Sequence, residues 1–292
     1  MHDKKAPTSQ IITVVTAGVL AVSFAVLFIR WCEAPAFTIA AYRLGISSLF
    51  LLITGYYKLP NLVNRLGKRD WQIGALSGFF LAVHFSSWIK SLEITSVASS
   101  VVLVSTAPFW AALGAWLLLK ASVKRLFVIG FLLAFAGMIV IAQSGVGESQ
   151  DSLFGNLLAL LGAIGGAGYM LCGRYLRKRC DTFSYVTVSY SFAAIFLLAL
   201  AVFSGTQLSG FSWQTYMLFM LIALVPQLIG HTSFNWTLKY LSTPVVSTIL
   251  LGEPVFATIL AFIFLAEIPA PAHVAGCSLI LIGVILAIWS ER

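Results

Sequence analysis

Residues 242–267 read STPVVSTILLGEPVFATILAFIFLAE. The apolar run from Thr243 to Leu265 is long enough to cross a bilayer core of about 30 Å. Near its middle a carboxylate and a helix breaker stand side by side, Glu253 and Pro254. A carboxylate at that depth costs about 2.5–3.5 kcal/mol on insertion scales, so its presence calls for a use or a partner. Pro254 has no backbone N–H, which deprives the Leu250 carbonyl of its usual partner and favours a kink. The stretch therefore predicts an interrupted membrane helix, the kind around which solute carriers place their binding sites.

The composition of the 292 residues agrees with that reading. Hydrophobic residues make up 60% and charged residues only 10%, with a mean hydropathy of +0.96. A soluble domain carries about 25% charged residues, so lipid is the solvent for most of this surface. The net charge of +8 is not a nucleic-acid footprint, because no soluble face exists to carry one. Cys32, Cys172, Cys180 and Cys277 are scattered, without a C-x-x-C pair or zinc-finger spacing, and read as small packing residues. No metal or cofactor is expected.

A hydropathy window of about 19 residues gives ten spans, at 11–29, 36–55, 71–89, 96–119, 125–143, 154–173, 183–203, 214–235, 243–265 and 272–289. The first apolar run is too long for a signal peptide and is read as a span. Breakers mark the joints: Pro35, Pro60, Gly67, Ser144–Gly147, Gly205, and the pair Pro269 and Pro271. Lys and Arg then set the orientation. One set of termini and loops holds Lys4, Lys5, Lys58, Arg65, Lys68, Arg69, Lys120, Lys124, Arg125, Arg174, Arg177, Lys178, Arg179, Lys239 and Arg292; the other holds only Arg30 and Lys90. The alternation requires an even number of spans with both termini in the cytoplasm. Arg43, the remaining basic residue, lies inside a span.

Shifting the chain by half its length, 146 residues, aligns its two halves. Phe37, Phe50, Leu51 and Leu52 fall on Phe183, Phe196, Leu197 and Leu198, and Pro108 falls on Pro254. Gly130 and Gly137 fall on Gly276 and Gly283. Each half holds five spans, an odd number, so the second must enter the membrane from the opposite side. The expected fold is an all-α integral membrane protein of ten transmembrane helices built from two inverted five-helix repeats, residues 1–146 and 147–292. Inverted repeats are characteristic of secondary transporters.

These features carry a family resemblance. LLGEPVFATILAFIFLAE at 250–267, GCSLILIGVILA at 276–287, the fainter copy STAPFWAALGAWLLL at 105–119 and AAYRL at 40–44 resemble the drug/metabolite transporter superfamily, EamA type. The resemblance covers nearly the whole chain. It departs at Lys120–Ala121, where the first repeat of the family often ends in an acidic residue like Glu267, which leaves Glu267 without an assigned role. The resemblance implies a small-solute carrier of the inner or plasma membrane, often an exporter of amino acids or related metabolites.

Glu253 is the leading candidate for coupling: a titratable group that exchanges a proton or balances a cationic part of the solute. The structural reading, a carboxyl that satisfies backbone groups freed by Pro254, stays open. Pro108 and Pro254, at matching positions, are candidate hinges for gates on opposite faces. Arg43 reads either as a clamp for a solute carboxylate or as an arginine in a structural ion pair or snorkelling to the interface. His84 and Trp88 share one helical face of the third span, and Gln227, His231 and Asn235 make a polar stripe in the eighth. Both stripes are expected to line a central cavity, although polar side chains also join membrane helices. Gly162, Gly165, Gly166 and Gly168 give the sixth span a thin face for close helix approach, with Tyr169 as a further cavity candidate. Trp88, Trp110, Tyr169 and Phe234 point to an apolar or aromatic moiety on the solute. Trp31, Trp71 and Trp213, at span ends, read as interfacial anchors.

The expected partners are a small-molecule substrate and the bilayer, with no nucleic acid and a monomer as the working unit, and the driving force is either proton exchange or the solute's own gradient. The chain has no G-x-x-x-x-G-K-[ST] phosphate loop, no H-E-x-x-H and no G-x-S-x-G, so neither ATP hydrolysis nor an intramembrane enzyme is expected. A channel would draw pore-lining rings from symmetry; here Glu253 is matched by Ala107 in the other half. An exporter working by alternating access is the expectation, with an importer of the same fold as the alternative.

Overall fold

The structure, a computed structural model, describes residues 6–60, 66–120, 122, 124–144, 152–265 and 268–291. Lys4, Lys5, Arg65, Gly145 to Gly147, Glu267 and Arg292 lie outside the described residues.

Among the described residues, ten helices carry a stretch long and apolar enough to span a membrane, and each is labelled by that stretch: α1 (Thr8–Trp31), α2 (Ala36–Thr54), α3 (Lys68–Ile94), α4 (Val97–Leu118), α5 (Arg125–Gln143), α6 (Leu153–Leu176), α7 (Thr182–Phe203), α8 (Trp213–Thr237), α9 (Thr243–Leu260) and α10 (Pro271–Trp289). Each lies on a span expected from hydropathy. Their ends extend past the apolar runs where polar residues cap them. Asp70 accepts from the Gly67 N–H and opens α3 at Lys68; Ser152 and Asp181 accept from the N–H groups of Gly155 and Ser184 to open α6 and α7.

Four helices are not regular. In α4 the helical segments Val97–Val104 and Ala107–Leu119 are separated by a turn. In α9, Thr243–Ile249 passes through a tight turn at Leu250–Gly252 into Glu253–Leu265. Pro108 and Pro254 both sit in the first turn of the following segment, where a missing N–H leaves no donor wasted. Two irregularities carry no expectation from the sequence. α1 breaks at Ser23–Phe24 without proline or glycine, and there Ser23 Oγ donates to the Val19 carbonyl at 2.8 Å and to the Glu253 carbonyl at 3.0 Å. α8 widens into a π-helix over Ala223–His231 around Pro226, whose ring and absent N–H disturb the ordinary ladder.

Small residues set the closest helix crossings. A Cβ on Gly165 of α6 would lie 2.8 Å from the His84 backbone nitrogen of α3, and one on Gly168 would lie 2.7 Å from the Phe80 ring. Where α5 crosses α10, a Cβ on Gly130 would lie 2.6 Å from the Gly283 carbonyl oxygen, and one on Gly137 would lie 2.5 Å from that of Gly276. Lipid tails are as apolar as leucine, so such close packing replaces the hydrophobic effect in holding membrane helices together. The centre is filled by Leu81, Phe85, Tyr169, Tyr185, Tyr190, Phe219 and Phe234, all fully or nearly fully buried.

The loops gather at two ends. At one, Arg179 pairs with Asp70 at 2.8 Å, Arg174 Nη1 donates to the Leu241 carbonyl at 3.0 Å, and the Ser242 N–H donates to Glu291 at 3.3 Å. Burial lowers the pKa of the Arg177 guanidinium, which donates to the carbonyls of Asn235 and Cys180. At the other end, the Ala36 N–H donates to Glu93 at 2.6 Å, Thr38 donates to the Gln207 carbonyl at 2.6 Å, and Thr95 donates to Asn156 at 2.8 Å. Among the described residues, these two ends carry the lysine- and arginine-rich set and the poor set read from the sequence.

Candidate functional site

The interrupted parts of α1, α4 and α9 meet α2, α3, α6 and α8 around a cavity of about 100 Å³. Its polar lining is Arg43, His84, Trp88, Ser105, Tyr169, His231, Ser247 and Glu253, and its apolar walls include Val22, Val104, Met170 and Leu251. Pro108 lines it too, whereas Pro254 lies one residue beyond Glu253 and does not. Gln227 and Asn235 stand one layer behind the wall. Trp110 turns away and donates to Thr106 at 3.1 Å; Phe234 is buried against α1 beside Gly18.

Arg43 is fully buried, which ends the snorkelling reading, and no carboxylate lies within ion-pair distance of it among the described residues. Three groups hold it. Nε donates to Gln227 Oε1 at 2.7 Å, and the guanidinium lies 3.9 Å over the Phe85 ring centroid, a cation–π arrangement. Ser47 fixes the backbone beneath, donating to the Arg43 carbonyl at 2.7 Å and the Ala223 carbonyl at 3.0 Å. The widened turn of α8 carries both Gln227 and His231.

His84 Nδ1 lies 2.8 Å from the Gly162 carbonyl. A carbonyl only accepts, so Nδ1 carries the hydrogen and Nε2 of the neutral ring is the free acceptor. The His84 ring stacks with Trp88, 6.0 Å between centroids and 13° between planes, and lies 6.4 Å from the His231 ring. The thin face of α6 makes room for this: a Cβ on Gly166 would lie 3.0 Å from His84 Nδ1.

Behind Tyr169 a buried polar network leads toward the basic end. Asn235 Nδ2 donates to Tyr169 Oη at 2.5 Å and Tyr190 Oη at 3.2 Å. Tyr185 Oη donates to the Tyr169 carbonyl at 3.3 Å, and Ser77 links Tyr185 to Ser189 at 3.0 and 2.9 Å. Asn235 thus organises the cavity floor without touching the cavity.

Phe85, Ser23 and Tyr190 carry no expectation from the sequence. Phe85 left one trace there, since the 146-residue shift lays it on His231, and the two rings meet at 5.2 Å. Ser23 and Tyr190 left none: a serine or tyrosine in an apolar run gives no sign of its direction. Among the described residues no group of three or more His, Cys, Asp or Glu could hold a metal ion.

Comparison with known proteins gives this architecture its place. The chain is 24% identical over 284 residues to an uncharacterized transporter of Archaeoglobus fulgidus, covering 95% of this chain and 96% of that one. It is 25% identical over 266 residues to the uncharacterized transporter YetK of Bacillus subtilis, covering 88% and 80%. A solved structure described only as "Crystal structure of protein" shares the fold, with a TM-score of 0.80 at 18% identity over 98% of this chain and 99% of that one. The profile of the EamA-like transporter family matches residues 9–143 and again residues 153–289. Two matches that together span nearly all of the chain make the assignment: this protein is a multi-pass membrane transporter that belongs to the EamA-like transporter family.

Proposed function

We propose that the chain is a secondary carrier that exports small amphipathic metabolites, amino acids or their derivatives among them, by alternating access around the central cavity. One observation carries the reading. A cavity with a cation, a carboxylate and two imidazoles lies where the interrupted helices of both halves meet. Supporting it, α4 and α9 break beside the cavity at matching prolines, positions suited to gates that open it to alternate faces. The two halves, 1–146 and 147–292, act as inverted repeats, a reading supported by the repeated family match and by the paired glycine crossings. The shift that carries Gly130 onto Gly276 also carries Gly137 onto Gly283, so each α5–α10 contact is the image of the other. The basic end faces the cytoplasm of the inner or plasma membrane, with both termini there, and the working unit is a monomer.

Glu253 supplies the coupling. In a water-poor cavity a net charge is unfavourable, so a change in the charge of the bound solute is balanced by a proton on Glu253. The test is flux of labelled amino acids and related metabolites in liposomes holding purified protein, with and without an imposed pH gradient. Glu253→Gln cannot exchange a proton and is expected to lose the response of flux to pH. Unchanged pH-responsive flux in the variant would reduce Glu253 to a structural carboxyl.

A further inference from the structure

The groups around the cavity are unevenly supplied with hydrogen bonds. Arg43 Nη1 and Nη2, Gln227 Nε2 and Trp88 Nε1 are buried and have no partner. All four are donors that cannot accept. Arg43 and Trp88 line the cavity, and Gln227 is held against the guanidinium through its Oε1. A buried donor without an acceptor is unfavourable, and around the Arg43 guanidinium no acceptor meets these four. His231 Nδ1 is also unpartnered. The other titratable groups close by are His84, Tyr169, Tyr190 and Glu253.

The guanidinium fixes the geometry of what is missing. Its Nε edge is taken by Gln227 and one face by Phe85, while Nη1 and Nη2 remain together. Two coplanar N–H groups on one edge match the two oxygens of a carboxylate. Glu253, the carboxylate in the lining, is more than the 4.0 Å ion-pair distance from Arg43, so it does not fill the position. The remaining walls at Val22, Val104, Met170 and Leu251 are apolar. At about 100 Å³ the space is smaller than the roughly 150 Å³ of an apolar cavity that takes up benzene.

We propose that the solute is a small monocarboxylate, bound with its two oxygens on Nη1 and Nη2 of Arg43 and its short apolar part against α1, α4 and α9. This rests on the carrier reading and narrows it: the anionic group is required, and a matched neutral or cationic molecule is rejected. Trp88 Nε1 and Gln227 Nε2 supply further donors, and Gln227 is the positioning residue that turns the guanidinium edge toward the cavity.

The test uses three probes of one size and three charges: propionate, propionamide and propylamine. Binding to the purified full-length protein in detergent is read by the ligand-dependent rise in melting temperature and by calorimetric titration. Propionate is expected to bind saturably, and the amide and amine not to bind at the same concentrations. Arg43→Lys keeps the charge and loses the planar fork, and should weaken propionate binding by roughly ten- to a hundred-fold. Gln227→Glu provides the decisive sign. A carboxylate built in beside Nε neutralises Arg43 from within, so this variant should melt no lower than the wild type and no longer respond to propionate. Equal binding of propionamide or propylamine, a Gln227→Glu protein that still binds propionate as the wild type does, or a wild type that binds none of the three would overturn the proposal. The carrier reading fails separately: propionate bound with these preferences, but no exchange of labelled propionate in liposomes above the leak of empty vesicles, would leave the carboxylate site standing and remove alternating access.

Discussion

Arg43 is a buried cation held by neutral groups. A lipid-embedded guanidinium ordinarily reaches the interface or an anion, yet this one rests on an amide oxygen and an aromatic face. The amide is therefore part of what makes its burial tolerable. Gln227→Leu keeps the bulk of the side chain and removes the acceptor of Nε, leaving another charged donor unpaired. It should destabilise the protein by about 1–3 kcal/mol, measured by SDS titration in mixed micelles. An unchanged unfolding midpoint would mean that the stack on Phe85 and the backbone tie from Ser47 suffice. Much at this scale was legible in the sequence. Charged or polar residues in apolar spans are few, so Arg43, His84, Gln227, His231, Asn235 and Glu253 announce themselves by their cost alone. Which of them touch the cavity was not legible, because Asn235 and Gln227 are as polar as His231 and differ only in the turn of the helix that presents them.

The elements divide into those that pack and those that bend. α5 and α10 meet through glycines on both sides, and no side chain there can retreat from an added methyl, because the atom it meets is backbone. Gly137→Val should force α5 and α10 apart at a cost of about 1–3 kcal/mol or more, seen as loss of the monodisperse peak in size-exclusion chromatography. The exposed face of the same helix supplies the contrast: Leu132→Val, at a site 57% exposed, should leave the profile unchanged. If Gly137→Val also does so, the crossing is looser than described. The bent helices belong to another class. The prolines of α4 and α9 foretold their breaks, since a missing N–H is written in the chain. The break in α1 was not foretold, because Ser23 terminates the ladder through bonds to carbonyls, one of them on α9, 230 residues away.

For the whole molecule, the proposed orientation makes a prediction about access. In a protein whose native cysteines are replaced, Ser209→Cys at the basic-poor end should react with a membrane-impermeant maleimide in intact cells. Lys178→Cys at the opposite end should react only after permeabilisation. The reverse pattern would place the termini outside the cell. The native loop thiols are expected to be poor reporters: burial pushes Cys32 up to about 12 and Cys180 up to about 11, so both stay protonated at neutral pH and react slowly. Cys180 labelling should accelerate only as pH approaches that range.

At this scale the chain on its own determined the class of solvent, the number of crossings and the sorting of loops to two ends. Each of these is a property of a contiguous run, summed over about 20 residues or over a short loop, and needs no knowledge of neighbours. The tertiary structure decided which faces look inward. In a soluble helix the polar side announces the outside; here lipid and core are equally apolar, so a helix carries almost no sign of its rotation. Only packing, through the glycines of α6, the stacked Phe85 and the widened turn of α8, brings Arg43, His84, His231 and Glu253 to one cavity and leaves Nη1 and Nη2 of Arg43 unpaired beside it.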